Sequence, residues 1–232
     1  MSTRLPVVAA VLCLAVSGCG STTAGSAMPA PPIPPTTAET LPSLLLSAAD
    51  VADALGSGEL VITGETPGPW NDAAHFQGAD QKGCLAVAGA AQKGVYSGAD
   101  WTSLRGQVLR EPPTAPKWRH FATQAVALFR DAAAASGFLA AQRQGWAGCA
   151  DRELRYTQQP MPDQLWTVGP AGTERDVLTV SREQRSPQHW FCQRAVTVHA
   201  NVGVDVEACS LDGPTTAAAA IARRIGDRLP SA

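Results

Sequence analysis

The chain lacks the short signatures of the commonest enzymatic sites. Its 232 residues hold no G-x-S-x-G elbow, no phosphate-binding loop, no H-E-x-x-H helix and no glycine-rich dinucleotide fingerprint. C-x-x-C is missing too, and no cysteine–histidine cluster has metal-ligand spacing. No catalytic residue, metal or cofactor is therefore assigned. Charge of one sign is also lacking. The balance is 18 basic against 20 acidic, a net of -2. Such a surface offers no footprint for a polyanion, so nucleic acid is not expected as a partner. No apolar run approaches the roughly 20 residues a membrane span needs, and no internal repeat occurs. Tyrosine is scarce, with two against six tryptophans.

What is present suffices for a packed core. Apolar residues make up 45% and charged residues 16% of the chain, which excludes wholesale disorder. The N-terminus reads as an export leader. Arg4 is followed by the apolar run LPVVAAVLCLAV over residues 5–16, the right length for the core of a signal peptide. Val16-Ser17-Gly18-Cys19 then resembles a bacterial lipobox. That resemblance implies cleavage after residue 18, which removes Cys13, and diacylglyceryl modification of Cys19. Each buried methylene contributes about 0.8 kcal/mol, so one acyl chain holds weakly and two or more hold firmly. The expected place is the extracytoplasmic face of the cell membrane. Residues 19–42 form the lipidated cysteine and a Pro/Ser/Thr/Ala-rich tether with little to bury. The folded domain is expected over residues 43–232.

Within it, Ser47 and Asp50 open a helix that Gly56 stops, with Leu46 and Val51 at the staple positions. Residues 59–63 and 101–110 read as strands, and 64–83 as a loop. Residues 118–129 fit either a strand or a helix, and the strand reading is preferred. A helix follows from Asp131 to about Gln144, with Gly145 as its stop. Strands are expected at 150–157, 165–168 and 177–182, and a helix at 214–229 whose buried face includes Ile221 and Ile225. The order gives an α+β fold, an antiparallel sheet flanked by helices.

Without Cys13 and Cys19, four cysteines remain: Cys84, Cys149, Cys192 and Cys209. An even number in an exported chain reads as disulfides, and four allow three pairings. The run CQRAVTVHANVGVDVEAC, residues 192–209, folds naturally about Ala200-Asn201. Paired residue numbers then sum to 401, and Cys192 faces Cys209 in the closer, non-hydrogen-bonded type of pair. Alanine is a poor turn residue where φ is positive, so a bulge with another register stays open. This pairing would leave Cys84 with Cys149.

These residues resemble the PknH-like extracellular sensor domain family of mycobacteria and their relatives. The likeness runs over roughly residues 42–230. It rests on VYSGADWTSLRGQVL (95–109), TQAVALF (123–129), WAGCA (146–150) and the 192–209 hairpin. It implies a sheet with helices around a V-shaped cleft for an unidentified ligand, and the disulfides Cys84–Cys149 and Cys192–Cys209. Members occur as the outer part of a transmembrane kinase or as lipoproteins. These 232 residues carry no kinase domain, so signalling through one is not implied.

Candidate cleft residues are Arg194, Asn201 and Asp205 of the hairpin, with Arg105 and Gln107 from the Trp101 strand. The preferred reading of the hairpin is nevertheless a cross-strand ion pair, with Arg194 facing Glu207. Trp101, Trp146, Trp166 and Trp190 are expected in the core. Trp70 and Trp118, near prolines, could flank a groove and stack on a sugar or an acyl chain. His75 and His199 read as exposed polar residues. The expected function is non-catalytic capture of a small envelope molecule or a partner protein. An envelope hydrolase or transferase would instead need a nucleophile beside a base such as His120 or His189. A purely structural lipoprotein would show an exposed apolar patch.

Overall fold

A computed structural model describes residues 36–71, 83–115, 117–186 and 188–229. The leader, Cys19 and His75 lie outside these residues. Among them, eight strands form one antiparallel sheet: β1 Val61–Thr66, β2 Trp101–Arg110, β3 His120–Phe129, β4 Glu153–Tyr156, β5 Gln164–Glu174, β6 Val177–Ser186, β7 Phe191–His199 and β8 Val202–Ser210. Their spatial order is β1-β2-β3-β8-β7-β6-β5-β4. The last strand thus slots between the meander β4–β7 and the earlier hairpin β2–β3. Helices α1 Leu41–Leu44, α2 Ala48–Leu55 and α6 Ala217–Gly226 pack on one face. The other face carries α3 Leu85–Ala88, α4 Lys93–Tyr96 and α5 Ala132–Ala147. No helix among the described residues is long and apolar enough to cross a membrane.

Local chemistry explains most of these elements. Ser47 and Asp50 close a reciprocal capping box on α2, and Gly56 ends it at φ 64°. β2 runs over the expected residues, and 120–129 is a strand because it pairs on both sides, with β2 and β8. In α6 the apolar stripe Ala218, Ile221, Ala222 and Ile225 is fully buried. Arg224 and Arg228 reach back to Asp53 and Asp50, tying α6 to α2.

Several boundaries differ from the sequence reading. β1 lies at 61–66 rather than 59–63, because pairing with β2 carries it past Gly64, where the register shifts. α5 continues through Gly145 to Ala147. A mid-helix glycine costs about 1 kcal/mol, which the burial of Trp146 (0% exposed) outweighs. β5 runs to Glu174 and β6 to Ser186, well beyond 168 and 182. Pro170 sits where the β5–β6 register shifts, so the strand survives its missing donor. α6 spans 217–226 within the expected 214–229. α1, α3 and α4 are four-residue turns with no sequence signal of their own.

The 192–209 hairpin has the expected register. Cys192 pairs with Cys209, His199 with Val202, and Ala200 takes φ 49° at the turn. Both disulfides are present, with Cα separations of 5.7 Å for Cys84–Cys149 and 4.0 Å for Cys192–Cys209.

Candidate functional site

Alternation along the strands puts every second residue on the α3–α5 face. On the three central strands these residues include Arg182, Arg194, Asp205 and Glu207, all nine-tenths or more buried. Charges at that depth need partners. Arg194 lies opposite Glu207 in the ladder, yet its carboxylate is the diagonal one, Asp205 Oδ1 at 2.7 Å. Arg194 also donates to the Val206 and Ala86 carbonyls at 2.5 and 3.1 Å. Asp205 Oδ2 accepts from Ala91 N–H at 2.8 Å and from the Tyr96 hydroxyl at 3.2 Å. Burial first, and then the Asp205 charge, push the Tyr96 hydroxyl well above its ordinary range. The pair therefore pins the 84–96 segment onto the sheet. Glu207 is taken by Arg182, whose guanidinium lies 4.6 Å from the Trp166 ring centre. Burial lowers the Arg182 pKa, and Glu207 opposes the shift. The cross-strand pair expected between Arg194 and Glu207 is thus replaced by two pairs, because Arg182 on β6 competes for Glu207.

Beyond the helices, at the sheet end marked by Cys192–Cys209, a groove opens on this face. Its outer chamber, about 570 Å³, lies between Trp118 and Phe121 on one side and Tyr156 and Trp166 on the other. Gln184 and Trp190 also line it. An inner chamber of about 260 Å³ shares Val108, Phe121, Tyr156 and Trp166 and ends at Trp70, Arg182 and Glu207. Trp70 fits because Gly106 has no side chain. A Cβ there would lie 2.6 Å from the indole. Arg110 caps Trp118 at 4.1 Å and donates from Nε to Thr63 at 3.0 Å. Phe121 meets Trp190 edge-on at 5.5 Å.

The two loop tryptophans, Trp70 and Trp118, both line this groove. Trp146 and Trp166 are buried as expected, whereas Trp101 and Trp190 are only half-buried. The five polar candidates do not converge. Arg194 and Asp205 meet beneath the helices. Arg105 and Gln107 project from the opposite face of β2, bonding to Pro67 O at 3.4 Å and to Glu65 at 2.8 Å. Asn201 sits at the hairpin turn, nine residues of strand away from the groove end, and donates to Phe129 O at 3.3 Å. None of the five lines either chamber.

The residues that do line the groove include glutamines the sequence reading passed over. Gln164-x-Trp166 and Gln188-x-Trp190 are the same device used twice. Each indole N–H donates to the glutamine two residues before it, at 3.2 and 2.6 Å. Gln164 and Trp166 share a face of β5, and Gln188 and Trp190 repeat the spacing in the β6–β7 connection, so a repeated Q-x-W was the available signal. Gln184 is 2% exposed, and its Oε1 has no hydrogen-bond partner among the described residues. The two candidate bases stand outside both chambers. His120 is held between Glu111 at 2.9 Å and Asp212 at 3.1 Å, and His189 bonds Glu183 at 2.6 Å. Cys192, Cys209 and Glu207 cluster tightly, but the two sulfurs are joined to each other and cannot ligate a metal.

Eight antiparallel strands, flanking helices and two disulfides make an α+β domain with an aromatic groove at one sheet end and a charge-paired interior. The chain belongs to the PknH-like extracellular domain family, which matches residues 36–228. The family is one of extracellular domains, so the folded body is extracytoplasmic. The chain is 29% identical over 225 residues to the serine/threonine-protein kinases PknH of Mycobacterium bovis and Mycobacterium tuberculosis. The matches cover 95% of this chain and 36% and 34% of those kinases. It thus spans about a third of the curated relatives. The crystal structure of the extracellular domain of PknH from Mycobacterium tuberculosis superposes with a TM-score of 0.74 at 28% identity. That match covers 84% of this chain and 97% of the other.

Proposed function

We propose that this chain is a lipid-anchored binding module of the cell envelope. Acylated Cys19 holds it at the outer face of the membrane, and residues 20–40 act as the spacer, up to where α1 docks Leu41 into the core. The groove captures a small envelope molecule or a segment of a partner protein. The observation that carries this reading is the groove itself: an aromatic-walled cavity, with Trp118 46% exposed, lying over charges that already have partners. Chemistry is not the reading because neither His120 nor His189 lines a chamber, and Glu207, the carboxylate that does among the described residues, is held by Arg182.

Two measurements test it. Mass spectrometry of the cell-made protein is expected to find a diacylglyceryl group on Cys19, and Cys19→Ala to leave the protein outside the membrane fraction. An unacylated N-terminus removes the anchor. Incubation with fractionated envelope extract followed by native mass spectrometry is expected to retain a bound species. Trp118→Ala should lose it. Repeated recovery of the bare chain removes the binding role.

A further inference from the structure

We infer that the groove takes a neutral, hydroxyl-rich ring, a sugar unit of an oligosaccharide, gripped by indole faces and glutamine amides. This rests on the binding-module reading above and names its ligand class. Three features of the groove select that chemistry.

The first is its walls. Trp118, 46% exposed, and half-buried Trp190 offer flat apolar faces that the C–H face of a pyranose or furanose covers well. The second is the amides. In both Q-x-W pairs the glutamine oxygen accepts from the neighbouring indole, which fixes the amide plane and leaves its NH2 group to donate. The third is a pair of buried polar atoms without partners among the described residues. Gln184 Oε1 and Arg182 Nε stand two residues apart on the groove side of β6, one an acceptor and one a donor. A hydroxyl both donates and accepts, so one sugar ring can satisfy both. An acyl chain offers neither a donor nor an acceptor and would leave both atoms unpaired as they are.

Charge points the same way in the inner chamber. Its two charged lining residues, Arg182 and Glu207, neutralise each other, so a charged group there finds no free counter-ion. In the outer chamber Arg110 keeps its charge, without a carboxylate partner among the described residues, and lies over Trp118.

The test titrates the cell-purified chain, held in lipid nanodiscs, with maltohexaose, mannohexaose, cellohexaose and arabinohexaose. A separate arm uses laurate. Tryptophan emission and calorimetry report binding. At least one hexasaccharide is expected to bind saturably. Trp118→Ala, at an exposed position, and Gln184→Leu should each weaken it about tenfold. Trp101→Phe, outside the groove, should leave it unchanged. Saturable laurate binding with silent saccharides overturns the sugar assignment and leaves the groove a binding site. Silence in both arms overturns both readings. Saccharide binding that neither groove variant weakens puts the site elsewhere and also overturns the inference.

Discussion

Asp205 is the position where the buried interior can be challenged most directly. Asp205→Asn keeps the side-chain shape and removes its charge. Arg194, 1% exposed, then keeps only the Val206 and Ala86 carbonyls. Tyr96 and Ala91 keep a weaker, neutral acceptor. Breaking a buried pair from one side costs about 3–5 kcal/mol, because the remaining charge stays desolvated. For a domain of this size, about 4 kcal/mol corresponds to a drop in Tm of about 8–16 °C. With a urea slope near 2 kcal/mol/M, the midpoint falls by about 1.5–2.5 M. Arg194→Met should cost a similar amount, since it strands Asp205. The double variant Arg194→Met/Asp205→Asn should cost much less than the two singles together, because it strands neither charge. Urea unfolding of all four proteins, disulfides intact, decides the matter. A midpoint shift below about 0.5 M for Asp205→Asn, or simple additivity in the double variant, would refute the clamp.

Gly106→Ala places a methyl 2.6 Å from the Trp70 ring. Overpacking of this kind costs about 1–3 kcal/mol, and chemical denaturation together with a changed Trp70 emission should register it. Glu111 follows pH. Burial raises its pKa, but hydrogen bonds from His120 and from backbone N–H groups outweigh that and hold it below the ordinary 4.5. Its contribution is therefore complete above about pH 4.5 and lost as pH falls through the lower folded value. Glu111→Gln should be less stable than wild type at pH 7, with the gap closing towards pH 3. A gap constant across that range contradicts the assignment. Removing the Cys192–Cys209 bridge, which closes a separation of 17 residues, should cost about 3 kcal/mol, and removing Cys84–Cys149, at 65, about 4. Paired Cys→Ala variants in thermal unfolding check both values and their order.

Local codes were readable along the chain. The capping box of α2, the stripe of α6, the span of β2 and the 401 register of the hairpin all follow from neighbours in sequence. Backbone sterics and strand alternation act over a few residues. The Cys192–Cys209 pairing sits close to this group, since parity puts the two thiols face to face once the turn falls at Ala200-Asn201, which the structure supplied. Strand alternation also says that Arg194 and Asp205 share a face and that Arg105 does not share one with Gly106. It cannot say which face is sealed by helices and which end is left open. That depended on α5 crossing the sheet and on β8 inserting beside β3. The stacking of β6 on β7 and β7 on β8 lined up Arg182 with Glu207 and left Asp205 for Arg194. The groove is the extreme case. Its walls come from β2, β3, β4, β5 and β6, segments up to about 80 residues apart along the chain. Only sheet pairing and curvature place Trp118 across from Trp166. No short-range rule carries that information, because the forces that set it are long-range ladder hydrogen bonds and burial of the shared face.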